Sequence, residues 1–160
     1  MKHVLTMFLL LLVLSATLSG SGRGFGGIQL LDGYSAKRES AIDVVAWTIL
    51  GKCGLIIHFE AGPSEGFAAS SADIEKYQWF RQQTLGRRKV LIALTKPGIK
   101  TDPDLDTERN LPPGNTLLVT FPLSSHRDHA ANFVAKVANQ EELVDVLLMT
   151  LTFDPSKGTF

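Results

Sequence analysis

Apolar residues follow three rhythms along this chain. Val4 to Leu14 forms an apolar run behind Lys2 and His3 and ahead of the small-residue segment Ser15 to Ser21. From Ile42 a strand pattern begins. Ile42 to Leu50 is rich in β-branched and aromatic residues, with Val45, Trp47 and Ile49 on one side. After the turn Gly51 to Gly54, Leu55, Ile57, Phe59 and Ala61 alternate with Ile56, His58 and Glu60, which predicts an antiparallel hairpin. Leu85-Gly86-Arg87-Arg88 is the expected bend of a second hairpin, with a short helical turn from Ser71 or Asp73 leading into Tyr77 to Gln83. Its return strand, Val90 to Thr95, is apolar at five successive positions and is expected to be central, with both faces covered.

The last third combines two rhythms. Leu117, Val119, Phe121 and Leu123 share one side of a strand; Ala131, Phe133, Ala135 and Val137 share one side of the next. Asn139 then caps a predicted helix, and Glu142 three residues on completes a capping-box-like pattern. Val144, Leu147, Leu148 and Leu151 supply an i, i+3, i+4, i+7 stripe for docking. Thr150 to Phe153 reads as a last short strand, stopped by Pro155. The fold class expected is α+β: one antiparallel sheet of about five to seven strands, packed by the C-terminal helix and at most one more.

Composition adds a compartment and removes several partners. The opening has the layout of a secretory signal peptide over 1–21, too short to span a bilayer, which takes about 20 apolar residues. Cleavage near Ser21, or at Ala16, leaves one domain of ordinary size. Residues 22–31 are expected as a glycine-rich flexible linker, 32–154 as the domain, and 155–160 as a tail. The chain carries 16 basic and 16 acidic residues, so it offers no cationic field for nucleic acid or anionic lipid. Cys53 is the single cysteine, which rules out an internal disulfide, and it lies too far from the leader to be a lipidated residue. A secreted or periplasmic protein without a stable membrane anchor is expected.

The ending resembles a known pattern. A β-hairpin, then Asn139 to Leu148, then Leu151-Thr152-Phe153, is similar to the end of PsbP-like and DcrB-like domains over Thr116 to Asp154. The resemblance implies an exported or lumenal α/β domain with an antiparallel sheet covered by helices. It also implies a binding or accessory module, with no shared active site to carry over.

Candidate chemistry is sparse. His126, Asp128 and His129 form the densest set of metal ligands, since imidazole and carboxylate suit zinc-like ions, and they would serve a small metal-dependent hydrolase. An ordinary polar hairpin loop accounts for the same residues. Asp102, Asp104, Asp106 and Glu108 could gather calcium, but Thr107 and Pro113 occupy template positions that need glycine and glutamate. A solvated acidic loop, balanced by Arg109, fits them better. Cys53 with His58 suggests a thiol–imidazole pair, against an incidental turn cysteine. His58 and Glu60 share a strand side as an acid–base pair, or simply as the wet side of a sheet. Gly22, Gly24 and Gly27 match GxGxxG without the strand and helix that give that motif its meaning. Arg81, Arg87, Arg88 and Lys89 near Tyr77, Trp79 and Phe80 are better explained by a charged hairpin tip than by single-stranded nucleic acid. The HExxH and P-loop patterns do not occur.

The function expected is a non-enzymatic exported binding or accessory protein for an unknown protein or small-molecule ligand, with no cofactor implied. The metal-dependent hydrolase is one alternative. An inhibitor or immunity-type protein acting through the long loop 97–115 is the other.

Overall fold

Strand formation follows the alternation. The computed structural model describes residues 24–63, 68–101, 109–112, 114–123 and 129–157. Two short strands, β1 (Gly24–Phe25) and β2 (Ile28–Gln29), pair with each other. The main sheet holds β3 (Ser35–Arg38), β4 (Val45–Leu50), β5 (Ile56–Pro63), β6 (Tyr77–Leu85), β7 (Arg88–Thr95), β8 (Thr116–Pro122) and β9 (His129–Lys136). Helix α1 spans Gln140–Leu151. The seven strands lie in the order β3-β4-β5-β9-β8-β7-β6, every pair antiparallel. This is a single α+β domain. The sheet is two runs of sequential hairpins, sealed where β5 meets β9 with Phe59 opposite Phe133.

The first face of the sheet carries the main core. Ile57, Phe59, Val90, Val119, Phe121 and Phe133 are buried there with Val146 and Met149 of α1 and with Phe153. The Phe153 ring sits 5.2 Å from that of Phe121 and 5.3 Å from that of Phe133. Burying rings of this size provides the largest apolar contribution to such a core. A smaller cluster occupies the second face: Ala69, Tyr77, Ala93, Leu118 and Val134. β7 therefore has buried side chains on both faces, as its continuous apolar run requires.

Three expectations change, and one strand is new. Ile28, placed by sequence in the linker 22–31, is 2 % exposed and belongs to the core, so the described part of that stretch is folded onto the domain. The Asp154 amide donates to the Gly27 carbonyl (2.8 Å) and the Gln29 amide to Thr152 Oγ1 (2.9 Å), tying the two ends together. The expected strand at Thr150 to Phe153 is absent because α1 continues through Leu151. The helix keeps Leu147 and Leu151 of the expected stripe against the core but is rolled from it. Glu142, Val146, Met149 and Thr150 are its buried residues, whereas Val144 and Leu148 remain half-buried. α1 is apolar on most sides, so its roll is set by partners, Phe153 at one end and Glu142 at the other. The polar strand β3 gave no sequence signal, since Ser-Ala-Lys-Arg has neither alternation nor β-branching.

Candidate functional site

Residues of even number on β5 and β9 point to the second face, where the polar groups gather. His58 lies opposite Thr48 of β4 and Val134 of β9; Glu60 lies opposite Ala46 and Asn132. A chain of hydrogen bonds crosses this face. The Ala69 amide donates to Thr120 Oγ1 (2.8 Å), Thr120 Oγ1 donates to Asn132 Oδ1 (2.9 Å), and Asn132 Nδ2 donates to Glu60 Oε1 (3.3 Å). Thr120 and Asn132 are buried, so these bonds satisfy groups that would otherwise be costly to remove from water. They also fix the segment entering the 3₁₀ turn Ser71–Lys76 against the sheet. Burial raises the Glu60 carboxyl above its ordinary range, while the Asn132 amide acts in the opposite direction.

The second face is unevenly covered. Over β8 and β9 its side chains are largely buried, but Ala46, Thr48, Ile56, His58 and Glu60 on β4 and β5 are only half-buried. This half presents an imidazole, a carboxyl that holds its proton more tightly than usual, a hydroxyl and an aliphatic side chain. Such a set can accept and donate hydrogen bonds around an apolar contact. The sequence pairing of His58 with Glu60 is kept in the sense that both stand on one face of one strand.

A second cluster lies where α1 begins. Asn139 Oδ1 accepts from the Glu142 amide (2.9 Å), which is the cap expected. The Glu142 carboxylate, however, accepts from the amide of Ala138 rather than from that of the cap residue (2.8 Å). It is gripped by Arg109, whose Nη1 and Nη2 each donate to one carboxylate oxygen at 2.8 Å. Nη1 also donates to the Lys136 carbonyl (2.7 Å) and Nη2 reaches that of Cys53 (3.5 Å). Both side chains of the pair are 9 % exposed. The guanidinium holds the Glu142 carboxyl below its usual value despite burial. Arg109, assigned by sequence to the acidic loop, is instead the bolt between that loop and the helix. Nothing in the local pattern identified it; only the capping-box position marked Glu142.

The other candidates are dispersed. His126 and Asp128 lie outside the described residues. His129 opens β9, half-buried and opposite Pro63, with its carbonyl accepting from the Leu123 amide (2.9 Å). Among the described residues no three His, Cys, Asp or Glu side chains are grouped to hold a metal. Asp102, Asp104, Asp106 and Glu108 also lie outside the described residues. Cys53 is exposed in the 3₁₀ turn Lys52–Gly54 with φ 56°. Gly24 and Gly27 belong to the β1–β2 hairpin, with no following helix to receive a phosphate. The basic residues near β6 part company. The Arg88 guanidinium lies over the Phe121 ring (5.9 Å), whereas Arg81, Arg87 and Lys89 are exposed. A shallow groove of about 370 Å³, lined by Arg38, Glu39, Ser40, Ala41 and Val44, lies at the β3–β4 bend and includes none of the candidate groups. Among the described residues no helix is long and apolar enough to cross a membrane. Compared with protein-family models, curated proteins and solved structures, the chain matches none of them.

Proposed function

We propose that this is an exported binding or accessory protein that meets its partner on the half-open β4–β5 side of the second sheet face. Export is supported by the leader pattern of 1–21. The observation that carries the reading is the hydrogen-bonded chain from Ala69 to Glu60. It fixes one carboxyl of this surface in advance, so ordering it on binding costs little. His58, Thr48 and Ile56 share that face along β4 and β5, on a rigid sheet rather than a loop. Affinity capture from the exported fraction tests the reading, with the wild type and Thr48→Arg as baits after their thermal melts are shown to match. The wild type should retain a partner that Thr48→Arg loses. Equal capture by both baits rejects this surface.

One observation favours a second reading, the inhibitor acting through the loop 97–115. The loop is fastened near both ends, by the Lys96 amide on the Lys76 carbonyl (2.9 Å) and by Arg109 on Glu142. The anchors at Lys96 and Arg109 set where such a loop leaves and rejoins the domain. Replacing 102–108 by a short glycine-serine segment would abolish capture on this reading and leave it intact on the first.

A further inference from the structure

The two outer edges of the sheet are built differently. β3, at one edge, has four residues, Ser-Ala-Lys-Arg, followed by Glu39. It is short and charged, which is how sheet edges are kept from pairing. β6, at the other edge, has nine residues, Tyr-Gln-Trp-Phe-Arg-Gln-Gln-Thr-Leu, with one charge and no proline. Its bulge is confined to the Tyr77–Trp79 end. Beyond it the strand runs regularly to Leu85.

The direction of its backbone groups follows from the turn. Leu85 and Arg88 close a two-residue bend with Gly86 at φ +63°. In such a hairpin the closing pair exchanges both hydrogen bonds, and alternate residues then turn outward. Thr84, Gln82 and Phe80 therefore present their amides and carbonyls to the open edge. Arg81 agrees with this: its Nη1 donates to the Phe80 carbonyl at 2.8 Å, which an inward carbonyl would not permit.

We propose that β6 is a self-pairing edge, joining a second copy of this chain antiparallel about a two-fold axis at Gln82. In that register Gln82 faces its own counterpart, Phe80 faces Thr84, Arg81 faces Gln83 and Trp79 faces Leu85. Each pair is compatible, and no two like charges stand opposite. A two-fold at Arg81 would set guanidinium against guanidinium. Continuity of the core supports the same partner. Trp79 and Leu85 pack on the rim of the main core, and in this register they meet across the seam at both of its ends, so that apolar layer is extended there. The result is one sheet of fourteen strands, seven from each copy. Arg81 must leave the Phe80 carbonyl for the pair to close, which makes the edge an equilibrium interface rather than a permanent one.

A single strand pair is a small interface, so dissociation in the micromolar range is expected, and light scattering of the full chain over about 1 to 100 µM reads it. The wild type should rise from monomer to dimer mass, and Gln82→Lys should weaken dimerisation by about fivefold through opposed ammonium groups. The register has its own test in a Cys53→Ser background. Gln82→Cys should oxidise to a covalent dimer, because residues paired at a two-fold lie about 5.5 Å apart. Thr84→Cys should not, since it faces Phe80. A monomer throughout, a dimer indifferent to Gln82→Lys, or equal cross-linking at 82 and 84 would each overturn the proposal. So would pairing of the edge with a foreign extended peptide in place of a second copy.

Discussion

Glu142 is held by two kinds of partner at once, a backbone amide before the helix and a guanidinium from a loop more than thirty residues upstream. Breaking such a buried, bidentate pair from one side leaves the other charge uncompensated, at a cost of about 3 to 5 kcal/mol. Arg109→Ala should therefore lower the unfolding free energy extrapolated from urea curves at neutral pH by that order. The folded pKa of Glu142 lies below the ordinary 4.5. Its contribution is complete above the unfolded value and is lost as pH falls through the folded one. The gap between wild type and Arg109→Ala should close over that acid range, and a gap unchanged by acid would place the effect elsewhere. Glu60 has the opposite sign. Its folded pKa is raised by burial, so its charged form costs stability once pH rises above that value. Glu60→Gln keeps an acceptor for Asn132 and should match the wild type in acid. As pH rises through the folded pKa the variant should become the more stable, a crossover that paired denaturation curves would reveal.

At the scale of elements, what the chain announced was periodicity. Strands β4, β5 and β7 to β9 and the Asn139 cap were legible because alternation and cap chemistry are local. The roll of α1 was not. Val144 and Leu148 satisfy a helical stripe as well as Val146 and Met149 do, and the choice depends on Phe153 entering a cluster contributed by β5, β8 and β9. Ile28 was hidden for a related reason, being one apolar residue among glycines whose burial depends on the distant Thr152 and Asp154. Phe153→Ala should cost about 3 to 5 kcal/mol, as for other fully buried rings. Asn139→Ala should cost about 1 kcal/mol, since it removes one cap bond. Thermal unfolding that ranks the two the other way would contradict helix docking through Phe153.

For the whole molecule, the joining of β5 to β9 lies beyond any local pattern, because it brings residues 66 to 78 apart into register. That pairing creates the candidate site: Glu60 acquires Asn132, and through it Thr120 and Ala69. The sequence could place His58 and Glu60 on one side of a strand, but it could not supply the buried amide that engages the carboxyl. The metal reading of His126, Asp128 and His129 makes a separate prediction from the binding one. A binding protein should show no zinc uptake by calorimetry, and uptake lost in His126→Ala/His129→Ala would favour the hydrolase. The account rests most on the half-open sheet face, and site-specific photo-cross-linking addresses it directly. A photoreactive residue at position 48, on that face, should capture a partner from the exported fraction, whereas one at the exposed position 157 should not. Capture at 157 alone, or equally at both, would contradict it.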